Sequence, residues 1–174
     1  MAAAPCSSAC ARKWPACATS KARRPGPAGS GPAPEPIVRA AHAGDAAALA
    51  ALIGQLGYAA SADEVAERLA AMEQDGRIVL VAELDGSPVG CLSTSVMRVL
   101  HRPAPVGRIS MMVVDEALRS RGIGAQLVRA AEETLATQGC YMVEVTSHMR
   151  RTEAHRFYER LGYARTSVRL AKEL

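Results

Sequence analysis

The stretch Val113-Val114-Asp115-Glu116-Ala117-Leu118-Arg119-Ser120-Arg121-Gly122-Ile123-Gly124 decides the fold, because it carries a strand through a basic, glycine-bearing loop into a helix. Upstream, Ile109 to Val114 is apolar and partly β-branched, the pattern of a buried strand. Downstream, Ile123, Leu127, Ala130, Ala131 and Leu135 recur at the spacing of one helix face. Two arginines and two glycines stand where that helix begins. The first amides of a helix lack intrahelical partners, and their aligned dipoles leave partial positive charge there. Glycine removes the Cβ that would hold a phosphate away from the N–H groups, and arginine adds planar donors that grip phosphate oxygens in pairs. The stretch reads as an anion site, and a pyrophosphate is the ligand it fits.

The surrounding chain bounds what that site can serve. At 174 residues and 49% hydrophobic, the sequence suits one globular domain with a single core. No apolar run reaches the roughly 20 residues of a membrane span, so a soluble, non-membrane protein is expected. The net charge of +4 resides in residues 1–34, which hold five basic side chains and no carboxylate; 16 basic and 17 acidic side chains remain for the rest. Residues 1–35, rich in Ala, Pro and Gly, show no hydrophobic periodicity and read as a disordered basic tail ahead of a domain at 36–174. Prolines at 25, 27, 32, 34 and 36 argue against an amphipathic transit helix. Cys6, Cys10 and Cys17 lack metal-ligand spacing, and Cys91 and Cys140 sit in apolar strand-like segments. Reduced thiols in the cytoplasm and no metal are the expectation. With aromatics at 3%, the interleaved stacking residues of a nucleic-acid surface are missing, so nucleic acid is discounted as a partner.

Order is expected to begin with a short strand at Ile37-Val38-Arg39. Asp45 is placed to cap a helix running through Leu56 and closed by Gly57. Ser61 with Glu64 forms a capping box for a helix to about Gln74. Arg77 to Leu84 is strand-like, and Asp85-Gly86 signals a hairpin into a strand from Pro88 to about Val99. A loop at residues 101–105 leads to the strand at 109–114. After the central helix, Gly139 ends the chain's turn into a strand from Cys140 to Ser147, a helix spans Thr152 to Leu161, and a last strand is expected from Ala164 to Leu170. The order β, α, α, β, β, β, α, β, α, β predicts an α/β (α+β mixed) fold. An antiparallel meander comes first, and the crossover helix makes the strands at 109 and 141 parallel if adjacent.

Other glycine-rich phosphate sites fit less well. A dinucleotide fingerprint would need a third glycine where Leu127 stands, and only 30 residues follow Glu144, too few for a second nucleotide-binding half. A P-loop would need Gly-Lys-Ser/Thr, but Ala125 follows Gly124. What fits is Arg/Gln-x-x-Gly-x-Gly/Ala, present as Arg119-Ser120-Arg121-Gly122-Ile123-Gly124 after a strand. Ala154-His155-Arg156-Phe157-Tyr158-Glu159-Arg160-Leu161-Gly162-Tyr163 follows in order. By these two motifs the chain resembles the GNAT N-acetyltransferase superfamily, in element order from about Pro36 onward and in motif from about 109 to 163.

The resemblance implies a mostly antiparallel mixed sheet splayed between two parallel strands, with helices on both faces and acetyl-CoA as co-substrate. Pantetheine would enter the gap like an extra strand, against backbone of about Met112, Val113 and Val114, with pyrophosphate over Arg119, Ser120, Arg121, Gly122, Ile123, Gly124 and Ala125. It places Tyr158 beside the sulfur as general acid. The acceptor implied is a primary amine of a small molecule or peptide, which attacks only when neutral; an amine with pKa near ~10.4 must first lose a proton. Glu144 alternates within its strand near the gap and is a candidate base, with waters as the alternative. His101, Ser147, Arg151 and His155 are candidate acceptor-side residues. Two departures stand out: Arg151 occupies the position seven before the tyrosine where members often carry Asn, and the usual final hairpin has no room, which bears on an acceptor wall or a homodimer surface. A different class stays open: a non-catalytic acyl-CoA-binding sensor, favoured if Tyr158 is turned into the core and no polar group reaches the thioester.

Overall fold

A computed structural model of the protein describes residues 34–173. The basic tail expected at residues 1–35 lies outside them, apart from Pro34 and Glu35. The strands are β1 (Ile37–Ala40), β2 (Val79–Leu84), β3 (Ser87–Met97), β4 (Val106–Val114) and β5 (Met142–Val145). The helices are α1 (Ala46–Gly54), α2 (Ala62–Gln74), α3 (Ile123–Thr137) and α4 (Thr152–Arg160). The strands form one sheet in the order β1-β2-β3-β4-β5. β1 to β4 are an antiparallel meander, and β5 pairs with β4 in parallel, so the mixed sheet expected from the element order is present.

Local chemistry accounts for the joints. Asp85 and Gly86 both take positive φ, 51° and 77°, the left-handed pair that a two-residue hairpin with the sheet's twist requires. The Ser61 hydroxyl accepts from the Glu64 amide at 3.2 Å, while the Glu64 carboxylate accepts from the Ser61 amide at 2.8 Å. Each face of the sheet has its own core. Leu92, Ile109, Ile123, Leu127, Val128, Ala131 and Tyr158 are buried with α3 and α4 on one side. Leu49, Leu52, Val65, Val81, Cys91 and Val113 are buried with α1 and α2 on the other. Alternation along the strands divides the side chains between the two layers. A Cβ at Gly107 would come within 2.7 Å of Leu135, so only glycine lets α3 lie this close to β4.

The sheet is irregular at one decisive point. Ser93 pairs with Met111 and Thr94 with Ile109, which leaves Ser110 as an extra residue in β4. Such a bulge bends its strand and ends regular pairing. The β4–β5 ladder runs from Val106↔Met142 to Ile109↔Val145 and stops there. Residues 111–114 therefore pair with β3 alone, and Ser110 stands between the two registers without a partner in either ladder.

Two expectations are corrected. Asp45 does not cap α1 through its side chain. Its carboxylate instead receives both terminal nitrogens of Arg39 at 2.8 Å and the His42 amide at 2.9 Å, and a bidentate charged pair outweighs a single amide bond. The last strand does not form: residues 164–173 have no ladder partner, and Val168 and Leu170 are 79% and 91% exposed. A strand is stabilised by its cross-strand pairs, and two apolar residues without a cover supply none. Cys91 is buried and Cys140 half-buried, both free, and burial pushes the Cys91 thiol up to about 12. No described helix is long and apolar enough to cross a membrane.

Candidate functional site

The loop after β4 turns through Asp115, whose carboxylate accepts from the Ala117 amide at 2.9 Å. Arg119 then turns back and donates from Nε to the Val114 carbonyl at 3.2 Å. Arg119 is extended, and Ser120 and Gly122 take positive φ, 66° and 83°, so the chain turns sharply before it enters α3. The first α-helical bond of α3 runs from the Gln126 amide to the Gly122 carbonyl at 3.1 Å. No side chain caps the amides ahead of it, those of Ile123, Gly124 and Ala125. Arg119, Ser120, Arg121 and Gly122 are exposed. A 15-residue helix thus begins with uncapped donors, and the exposed Arg119 and Arg121 precede it in the loop.

The two glycines serve different ends. Gly122 needs its freedom of φ, whereas a Cβ on Gly124 would come within 3.3 Å of Phe157 Cζ and 3.7 Å of Met112 Cε. Gly124 thus lets α4 pack against the start of α3. That packing fixes the next residue. Tyr158 is 7% exposed, edge-on to Phe157 and Tyr163 with ring centroids 5.1 and 5.5 Å away. Its hydroxyl contacts Met112 Sδ at 3.9 Å, which brings it to the stretch of β4 that β5 has left. Burial pushes its pKa up to about 12, so it holds its proton throughout the neutral range. Tyr163 donates to Glu132 at 2.8 Å and ties the end of α4 to α3.

Glu144 and Arg108 face each other across the β4–β5 ladder, and Oε1 accepts from Nε at 2.7 Å and from a terminal nitrogen. Both belong to the face opposite Ile109 and Val145, and hence opposite Tyr158. With Met97, Val99, His101, Arg102, Val106 and Met142 they line a cavity of about 230 Å³. His101 and Glu144, 43 residues apart, therefore meet in one pocket. Arg151 is exposed at the start of α4 and reaches the Leu56 carbonyl after α1 at 3.5 Å. Ser147 and His155 are half-buried and make no side-chain hydrogen bond among the described residues. Among those residues no group of three His, Cys, Asp or Glu side chains could hold a metal ion.

The bulge at Ser110 and the Arg108 partner of Glu144 were invisible to the sequence reading. So was Gln55, whose side chain accepts from the Glu116 amide at 3.0 Å and moors the α1–α2 loop to the anion loop. All three depend on register or on contacts 36 to 61 residues apart, which no local pattern encodes.

The site's geometry is that of a strand open on one side, beside a parallel neighbour, leading to an uncapped helix start. Comparison with known proteins gives that geometry its family. Residues 47–163 match the model of the acetyltransferase (GNAT) family. The aminoalkylphosphonate N-acetyltransferase of Salmonella typhimurium is 33% identical over 123 residues, 71% of this chain and 78% of that protein. A probable glucosamine 6-phosphate N-acetyltransferase of Oryza sativa is 31% identical over 103 residues, 56% of this chain and 60% of that protein. Among solved structures, an aminoglycoside N-acetyltransferase in complex with CoA shares the fold at a TM-score of 0.72 and 20% identity, covering 85% of this chain and 97% of that one. The chain belongs to the GNAT acetyltransferase family and is an acyltransferase.

Proposed function

We propose that the protein transfers the acetyl group of acetyl-CoA to a primary amine of a small molecule, by direct attack in a ternary complex. The observation that carries this is the one-sided stretch 111–114 of β4, running from the Tyr158 hydroxyl contact to an uncapped helix start. The pyrophosphate of the coenzyme lies over Arg119, Ser120, Arg121, Gly122, Ile123, Gly124 and Ala125. Pantetheine amides add to the free side of Met112, Val113 and Val114, as an extended ligand adds to an open strand edge. Support for this donor comes from the CoA-bound neighbour of the same fold, and for a small amine from the acceptors in the relatives' names.

The neutral amine attacks the thioester carbonyl carbon, the carbon–sulfur bond breaks, and the thiolate takes the Tyr158 proton. A thiol pKa of about 8.5 makes the thiolate a tolerable leaving group, and because the Tyr158 phenol is raised to about 12 its proton passes to sulfur only as charge builds there during collapse, drawn on by reprotonation of Tyr158 from solvent. Glu144, whose Oε2 has no partner among the described residues, is our candidate to receive the amine's proton, directly or through water. An amide and free coenzyme leave, and Tyr158 is reprotonated from solvent. We place the reaction in the cytoplasm, where the free Cys91 and Cys140 stay reduced.

Mixing the protein with acetyl-CoA and a panel of amines, and following thiol release, tests this reading. Amine-dependent release is expected. Tight binding of acetyl-CoA with no release for any amine would instead identify a non-catalytic acyl-CoA sensor.

A further inference from the structure

The cavity beside Glu144 has a charge pattern that selects among amines. Its rim is basic: Arg102 and His101 are exposed at its edge, and Arg108 is taken up by Glu144. A second hollow of about 190 Å³ shares Val99 and Arg102 with the first and adds Arg98. Among the described residues, neither Arg98 nor Arg102 makes an ion pair or a side-chain hydrogen bond. Two unpaired guanidinium groups therefore line two adjoining hollows that meet at Val99 and Arg102. A carboxylate with a free oxygen, Glu144, lines the first.

Position ties this recess to the chemistry. Glu144 precedes Val145, the last residue of β5 to pair with β4, so its wall lies about 3.3 Å, one strand residue, from the opening of the gap. Met97, Val106, Arg108, Met142 and Glu144 lie on the sheet face opposite Tyr158. An amine entering here meets the thioester from one side of the sheet while the sulfur departs toward the other.

We propose that this recess is the acceptor subsite and that it takes a short primary amine carrying an anionic group, a phosphonate, phosphate or carboxylate. The ammonium sits against Glu144 and the anion is gripped by Arg102 and Arg98. This rests on the acetyl-transfer reading above and narrows it to a substrate class. Guanidinium suits the anion because its planar donors match phosphate and carboxylate oxygens in pairs. Size agrees, since drug-sized ligands occupy roughly 300–1,000 Å³ and the main cavity is about 230 Å³. A polycationic acceptor, such as an amino sugar with several ammonium groups or a lysine-rich peptide, would meet like charge at the rim and leave both arginines unanswered.

Two measurements on the full-length protein test this. In the first, thiol release from acetyl-CoA is compared for four two-carbon amines that differ only at the far end: phosphonate, carboxylate, hydroxyl and a second amine. The anionic pair is expected to exceed the other two by roughly tenfold or more in kcat/KM, a difference of about 1.4 kcal/mol. Arg102→Gln should erase that preference through the KM for the anionic amines, and Arg102→Lys should restore it in part. Equal rates for all four amines, or a preference that survives both Arg102→Gln and Arg98→Gln, would overturn the subsite while leaving acetyl transfer standing. In the second, the aminoalkylphosphonate is titrated calorimetrically onto the protein saturated with CoA, which needs no turnover. Binding that is lost in Arg102→Gln supports the subsite even if acetyl transfer fails, and no binding, or binding unchanged by both substitutions, refutes it.

Discussion

The two halves of β4 share a strand and differ in what flanks them. From Val106 to Ile109 the strand is laddered on both sides, with Gly107 pressed under Leu135, and it behaves as sheet centre. Beyond the bulge at Ser110, from Met111 to Val114, it keeps β3 and loses β5, so backbone groups there have no strand to bond on one side. Backbone polar groups in a protein interior demand partners. One extra residue thus coincides with the point where paired strand becomes open edge. In the reading proposed above, the candidate site is made by that interruption in pairing, with the basic loop at one end of it.

Deleting Ser110 should break this contrast with the largest effect. Ile109 packs with α3 while Met111 and Val113 pack with α1 and α2. Removing the bulged residue therefore leaves Met111 to Val114 on their present faces in a regular ladder. We expect a folded protein whose amine-dependent thiol release falls by about 10²-fold or more, since misplacing the reacting groups by about an ångström costs that much. Full activity in the deletion variant would show that the bulge does not set the gap.

Tyr158→Phe acts on the open half alone. Loss of a positioned acid costs about 10²-fold in kcat at the low end of such effects, and the KM for acetyl-CoA should hold steady. Because burial raises the Tyr158 pKa to about 12, wild-type kcat should show no alkaline loss traceable to this residue up to pH 10. The same shift means that its contribution to stability is complete below about pH 10 and declines as pH rises through about 12. An alkaline limb near neutrality that vanishes in Tyr158→Phe would contradict the assignment.

Gly107→Val strikes the paired half, where the branched side chain would drive into Leu135. Unfolding free energy should fall by about 1–3 kcal/mol in denaturant titrations, with kcat little changed in the folded fraction. The smallest effect is expected far from both halves, at Asp45. Arg39 holds this buried carboxyl below its ordinary range, so the stability it adds is present above about pH 4 and disappears as pH falls through the lowered value. Asp45→Asn should flatten the acid limb of a thermal-stability profile and leave acetyl-CoA binding unaltered. An acid limb as steep as in the wild type would assign it elsewhere.

These regions also differ in how far the sequence discloses them. The Asp85-Gly86 hairpin and the Ser61/Glu64 box are local, and residue type alone points to them. The order of elements and the parallel crossover followed from periodicity. Asp45 was misassigned because a cap is read from the next three residues, whereas its partner Arg39 lies six residues back on a strand. Ala164 to Leu170 alternates weakly enough to suggest a strand, but strands need a neighbour, and the pattern cannot say whether one is offered. At Gly124 the residue type points to room for phosphate, and the fold adds a packing reason that no local pattern carries, since a Cβ there would come within 3.3 Å of Phe157, 33 residues on. Ser110 gave no signal at all, because a bulge is a property of two strands and the sequence displays them one at a time.

The central claim is that the unpaired half of β4 and the start of α3 together receive one extended, diphosphate-bearing ligand. Titrating CoA into isotope-labelled protein and following backbone amide resonances tests it most directly. The account predicts large shifts for residues 110–114 and 121–125, with residues 106–109 nearly still. Shifts confined to the loop, or spread equally over both halves of β4, would contradict it.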